Sequence, residues 1–219
     1  MKIGLVDYGA GNLQSVRNAL KELGRESVLV DRPEVLAEEV DALIFPGVGA
    51  FGDSMRTLRA RGLAEPLVEW IKGGRPFFGI CIGYQVLFEA SEESPSVPGL
   101  GVFSGRVIRL RAPGLKIPHM GWNQARLRQP DDPLWAGLGA APHVYFVHGY
   151  HPVPADEGLV AATTDYGSSF ASAIRWQTGA AVQFHPEKSQ AVGLRLIDNF
   201  IRLAEAMVGQ PSLCIEANA

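Results

Sequence analysis

Four short β-type runs, Ile3 to Val6, Ser27 to Val30, Ala42 to Phe45 and Phe77 to Ile80, are separated by segments with helical periodicity. After the first run, a helix is predicted from near Leu13 to Leu23, with Val16, Leu20 and Leu23 on one face. Asp31-Arg32-Pro33 starts a short helix, Pro33 suiting an early helical position. Helical segments then run through Trp70 and Ile71. Repeated strand–helix alternation predicts a doubly wound, mostly parallel sheet of the α/β class. Past Ser91 the rhythm changes to β-rich pieces: Val102–Leu110, His143–His148, Leu159–Thr163, Ala171–Trp176 and Ala180–Phe184. These read as an antiparallel extension, closed by an amphipathic helix from roughly Ala191 to Met207. With no long linker or internal repeat, residues 1–208 are expected to form one domain. Residues 209–219 are expected to be a loosely packed or disordered tail.

Composition narrows the function classes. Hydrophobic residues make up 47% of 219, enough for a substantial core, while a net charge of −3 gives no general attraction to nucleic acid. The two cysteines, Cys81 and Cys214, suggest no disulfide framework and fit a reduced, cytoplasmic setting. The apolar run after Met1-Lys2 is too short for a signal-peptide core. Pro133 to Ala155 lacks acidic and basic residues other than histidine, but its four prolines argue for loops around a buried strand, not a membrane span. Between Glu93 and Asp131 the charges are all basic: Arg106, Arg109, Arg111, Lys116, Arg126 and Arg128. They form either a docking face or a set balanced by acidic neighbours in three dimensions, and the second is favoured.

Chemistry concentrates at Gly79-Ile80-Cys81-Ile82-Gly83. In this Gly-x-nucleophile-x-Gly form a buried strand delivers the nucleophile onto a sharp turn and a helix leaves from it. The helix N-terminus behind Cys81 favours its thiolate. A lone buried cysteine behaves as a small hydrophobe. Gln183-Phe184-His185-Pro186-Glu187, however, supplies a base. If Val182 to Phe184 is a strand, His185 and Glu187 lie near its end on one face. Glu187 then accepts from His185 Nδ1–H, leaving Nε2 toward Cys81, in the order nucleophile, base, orienter. Pro46-Gly47-Val48-Gly49 adds oxyanion donors: the N–H of Ile82, and a backbone N–H near Val48 or Gly49.

Two further patterns fall short. Gly9-Ala10-Gly11 follows a strand, with Asp31 downstream, but Gln14 stands where a dinucleotide fingerprint needs its third glycine. His143, His148 and His151 have no cysteine or carboxylate at ligand spacing, so no metal site is expected.

The elbow, the Pro-Gly-Val-Gly loop and His-Pro-Glu together resemble class I glutamine amidotransferases. More narrowly, the chain resembles the glutaminase subunits of imidazole glycerol phosphate synthases. The segments carrying that likeness are Val6-Asp7-Tyr8-Gly9-Ala10-Gly11-Asn12-Leu13, Phe45 to Phe51, Pro118-His119-Met120-Gly121-Trp122-Asn123 and His185 to Ser189. The likeness runs from Lys2 to about Met207. It implies that Cys81 attacks the glutamine carboxamide, that His185 moves the protons, that Glu187 orients the imidazole, and that no cofactor takes part. Gln85 and the segment His148-Gly149-Tyr150 match positions beside the glutamine pocket; Gly149 departs from a position that commonly holds a hydroxyl residue. The implied partner is a separate (β/α)8-barrel cyclase of histidine biosynthesis, which uses the ammonia. Its products are imidazole glycerol phosphate and aminoimidazole carboxamide ribotide. His119, Met120, Trp122, Tyr145 and Lys188 are the candidates for the surface facing it. Two rival readings share the scaffold: a stand-alone γ-glutamyl peptidase or amidase, and a non-catalytic regulatory subunit.

Overall fold

A computed structural model describes residues 1–9 and 13–209. The expected C-terminal tail from residue 210 onward, and Ala10 and Gly11 of the incomplete glycine fingerprint, lie outside the described residues. The first half follows the predicted alternation: β1 (Ile3–Val6), α1 (Leu13–Glu22), β2 (Ser27–Val30), α2 (Pro33–Glu38), β3 (Ala42–Phe45), α3 (Phe51–Ala60), α4 (Ala64–Lys72), β4 (Phe77–Ile80) and α5 (Ile82–Gln85). The second half is β-rich: β5 (Ala90–Ser91), β6 (Gly105–Arg109), β7 (His119–Gln124), β8 (Arg126–Leu127), β9 (His143–His148), β10 (Tyr150–Pro154), β11 (Val160–Asp165), β12 (Ser169–Trp176) and β13 (Gly179–Val182). Helix α6 (Gln190–Val208) closes the described chain.

The main sheet has the order β2-β1-β3-β4-β13-β12-β11-β8. Pairing is parallel from β2 through β13 and antiparallel beyond it. Alternate residues of the parallel strands enter two cores. Ile3, Leu5, Ala42, Ile44, Phe78, Ile80 and Val182 face one side with Val16 and Leu20 of α1 and Leu196, Ile197 and Phe200 of α6. Val6, Leu43, Phe45, Phe77 and Ala181 face the other, against Met55 and Leu58 of α3 and Leu67 and Trp70 of α4. Both faces are covered, which is why these strands read as continuous apolar runs and not as alternating ones. β7 and β9 form a separate antiparallel ribbon, and β10, β6 and β5 a small third sheet.

Three sequence-level boundaries move. The predicted strand Val102–Leu110 is confined to Gly105–Arg109, because Val102 and Phe103 turn back to bond the Leu87 carbonyl. The helix after Cys81 is a single turn, Ile82–Gln85, so its dipole is smaller than that of a full-length helix. β13 ends at Val182, one residue before Gln183, so the predicted strand to Phe184 stops short of the His-Pro-Glu segment.

Candidate active site

β3, β4 and β13 are adjacent, and the residues leaving their carboxyl ends converge. β3 leads into Pro46–Gly49, β4 into Cys81, and β13 into Gln183–Glu187. Open α/β sheets place ligand crevices at this end of the strands.

Cys81 has φ 54° and ψ −103°, outside the regions open to a relaxed L-residue. Such backbone costs about 1–3 kcal/mol and persists only where its surroundings dictate it. Here the Cys81 N–H donates to Val182 O at 2.8 Å, and its carbonyl accepts from Tyr84 and Gln85 at 3.0 and 3.1 Å. The flanking glycines are required by space. A Cβ at position 79 would lie 2.6 Å from Gly83 O, and one at position 83 would fall on the Phe45 carbonyl. The sequence therefore holds Cys81 on a tight turn, buried but lining a cavity.

His185 and Glu187 meet as predicted, but by another route. His185 precedes a 3₁₀ turn, Pro186–Lys188, and the two side chains close across that turn and not along a strand face. His185 Nδ1 lies 2.8 Å from Glu187 Oε1, with both side chains 1% exposed. The backbone is fixed by His185 N–H donating to Tyr145 O at 2.9 Å, and by Ser189 Oγ donating to His185 O at 2.7 Å. With Nδ1–H given to the carboxylate, Nε2 is left buried without an oxygen or nitrogen partner.

Burial alone would lower the pKa of this imidazole. Negative charge at Cys81, followed by the contact with Glu187, outweighs burial and raises it to about 10. Cys81 and His185 thus form an electrostatically coupled pair with Glu187 behind the ring. Because the folded value lies above the ordinary 6.5, the stabilising contribution of the raised His185 pKa is complete below pH 6.5. It is lost as pH rises through about 10. The melting temperature is therefore expected to fall between neutral pH and about pH 10, and to fall less in Cys81→Ala. Parallel melting curves of the two proteins across that range check this.

A cavity of about 300 Å³ opens on the pair, lined among others by Val48, Gly49, Ile82, Gln85, Tyr150 and Lys188. Gln85 Nε2 donates to Tyr150 O at 3.1 Å, so both predicted pocket residues belong to one hydrogen-bonded wall. Gly149 also lines the cavity. Glu93 and Gln183 were not singled out by the sequence as part of this site. Glu93 and His148 line the cavity, and Gln183 Nε2 lies 3.6 Å from Cys81 Sγ. On the far side of Pro46–Gly49, the buried Tyr8 phenol packs so closely that a Cβ at Gly47 would lie 2.7 Å from its oxygen. Burial, with a smaller contribution from the charge at Cys81, pushes the Tyr8 phenol up to about 12.

The five expected interface residues separate. Met120 and Trp122 are 63% and 48% exposed, and Trp122 meets Tyr145 edge-on across the β7–β9 ribbon. Lys188 is exposed at the cavity. His119 is not on that surface: it is 2% exposed and stacked between Phe146 and Tyr166. Strand alternation sends its side chain to the face opposite Met120 and Trp122. The basic residues from Arg106 to Arg128 are exposed, and Arg126 is balanced by Asp165 at 2.5 Å. Among the described residues no cluster of three metal-ligating side chains occurs, and no helix is long and apolar enough to cross a membrane.

The family model for class-I glutamine amidotransferases matches residues 4–203. The chain belongs to the class-I glutamine amidotransferase family. Curated relatives bear the name imidazole glycerol phosphate synthase subunit HisH. The protein of that name from Synechococcus sp. (strain JA-3-3Ab) is 52% identical over 203 residues, covering 92% of this chain and 93% of its own. That from Aquifex aeolicus (strain VF5) is 47% identical, covering 94% of this chain and 99% of its own. Among solved structures, a glutamine amidotransferase superposes with a TM-score of 0.71 at 28% identity, over 93% of this chain and 98% of the other. PurLQS from Thermotoga maritima, at 19% identity and TM-score 0.69, covers 92% of this chain and 97% of its own; it shares the fold. The elbow and the His-Pro-Glu turn both lie inside the matched span of this amidotransferase family.

Proposed function

We propose that this protein is the glutaminase subunit of an imidazole glycerol phosphate synthase, hydrolysing glutamine to glutamate and ammonia through a cysteinyl thioester. One observation carries the reading: a buried carboxylate–imidazole pair, 2.8 Å apart, has its free Nε2 on the side of a cysteine held in a strained elbow at a cavity. Cys81 thiolate adds to the side-chain carbonyl carbon of glutamine, and the carbonyl oxygen takes the negative charge. The N–H of Ile82, with that of Val48 or Gly49, is the donor set for this oxyanion. As the carbon–nitrogen bond breaks, His185 gives its Nε2 proton to the departing nitrogen, which leaves as ammonia. Water then loses a proton to His185 and attacks the thioester, and the carbon–sulfur bond breaks to release glutamate and the thiolate.

Glu93 is the cavity carboxylate placed to receive the substrate's α-ammonium group. Gln85 and Tyr150 build the wall beside it. Ammonia in neutral water is mostly protonated and a poor nucleophile, so its release serves an acceptor that shields it. That acceptor is a (β/α)8-barrel cyclase forming imidazole glycerol phosphate and aminoimidazole carboxamide ribotide. Exposed Met120 and Trp122, with Tyr145 against the Trp122 ring and Lys188 at the cavity, form the surface offered to it. Aromatic anchors of this kind dominate stable interfaces.

Glutamate release measured with and without the barrel subunit and its nucleotide ligand tests the assignment. Weak turnover alone and strong turnover in the complex are expected; robust turnover by the isolated chain would favour a stand-alone amidase. Trp122→Ala is expected to weaken the complex at least tenfold, since hot-spot truncations cost about 2 kcal/mol or more. It should leave the melting temperature almost unchanged, because the indole is half exposed. Titration giving native affinity would remove Trp122 from the interface.

A further inference from the structure

Gln183 is fully buried, yet it carries an amide whose two ends both need partners. Its backbone is tied to β12, its N–H donating to Ser172 O at 2.9 Å. At the side chain, Oε1 lies 3.1 Å from Gln85 Nε2, and Nε2 lies 3.6 Å from Cys81 Sγ.

The orientation of this amide is dictated by its neighbours. The Tyr150 carbonyl can only accept, so the Gln85 atom 3.1 Å from it is nitrogen. The Gln183 atom facing that nitrogen must then be oxygen, which turns the Gln183 N–H toward sulfur. The same carbonyl is approached by His148 Nδ1 at 2.9 Å, so that nitrogen carries the proton and His148 Nε2 accepts. His119 Nδ1 donates to it at 3.0 Å, and His119 Nε2 faces the Asn123 amide nitrogen at 3.3 Å. Every donor from Asn123 to Gln183 is therefore assigned. Burial agrees, holding His119 near 4 and His148 near 3, so both rings are neutral at physiological pH.

The geometry points to Gln183 as a further member of the catalytic machinery: its side-chain N–H donates to the Cys81 sulfur and stabilises the anion there. The inference rests on Cys81 being the nucleophile proposed above. A neutral thiol or thioester sulfur is a weak acceptor, whereas a thiolate makes the charge-assisted kind of bond. The contact therefore strengthens when sulfur is anionic, in the resting enzyme and again as the carbon–sulfur bond of the thioester breaks. Gln183 acts from within the site, at the end of a polar chain that begins at Asn123 on β7.

The test is alkylation of Cys81 by iodoacetamide as a function of pH, read by mass on the peptide that carries it so that Cys214 does not contribute. The groups around the sulfur are His185 and Glu187 from the turn after β13, Tyr8 after β1, and Glu93, His148 and Lys188 at the cavity. All are unchanged in Gln183→Met, which keeps the side chain's length and removes the N–H. Its pH profile is expected to be displaced upward by about one unit. A well-folded Gln183→Met with the native profile would overturn the inference. Should that variant melt early, Gln183→Glu keeps the acceptor for Gln85 and presents oxygen to sulfur. A larger upward displacement is then expected, and a native profile again refutes it. Failure of the parent reading looks different, because Cys81 in the unmodified chain would then react no faster at pH 7 than an ordinary thiol.

Discussion

Cys81→Ala is expected to reduce glutamate release by on the order of 10⁴-fold or more, the scale seen when a nucleophile is deleted from a triad. The size follows from what remains. Without sulfur there is no thioester, and the surrounding groups are left to assist a direct attack by water. His185 would also lose the negative charge that, with Glu187, raises its pKa to about 10. Its proton then leaves at lower pH, so the residual activity should show a different pH profile as well as a lower rate. Glutamine should still bind, since Gln85, Glu93 and Tyr150 are untouched and the alanine side chain fits the elbow. The measurement is glutamate release in the presence of the barrel partner, beside glutamine binding by calorimetry. Turnover within tenfold of the unmodified protein would remove Cys81 from the chemistry.

Much of this site was legible in the sequence because its elements are local. A glycine on each side of Cys81 signals a turn, and the structure shows the carbonyls of Gly83 and Phe45 standing where Cβ atoms would be. The parallel strands were legible for a related reason: with both faces buried, each is a compact β-type run. Legibility ended where partners are distant. β8 has two residues and β10 carries two prolines in five, so neither shows a strand period. Gln183 and Glu93 match no local pattern, and only the fold brings them to Cys81. His119 is instructive in another way. Alternation along β7 separates it from Met120 and Trp122, but the sequence alone does not mark this segment as a strand, so the three residues fall together in the expected surface. The His185–Glu187 contact was anticipated on the assumption of a continuing strand. A proline turn produces the same contact, since two residues either side of Pro186 converge in a 3₁₀ turn as well.

Glu187→Gln is the second large effect, and it separates orientation from charge. Glu187 Oε1 receives the Nδ1 proton of His185 within a pair that is 1% exposed on both sides, so water cannot replace the carboxylate. A glutamine there preserves size but can present its amide nitrogen to Nδ1. The imidazole would then carry its proton on Nε2, facing sulfur, and could not accept one from water during thioester hydrolysis. The imidazolium would also lose its nearest carboxylate, one of the two influences that hold its pKa above the ordinary value. The corresponding change in a serine triad costs about 10⁴-fold in turnover with geometry intact. A loss of about 10²- to 10⁴-fold in kcat is expected here, with KM nearly unchanged because Glu187 does not line the cavity. Deprotonation of His185 should move to lower pH, visible as an earlier loss of the alkaline decline in melting temperature. Single-turnover kinetics sharpen the prediction, since a base in the wrong tautomer slows hydrolysis more than acylation and the thioester should accumulate. A variant with native kcat, or one whose loss lies wholly in KM, would show that Glu187 acts only in packing.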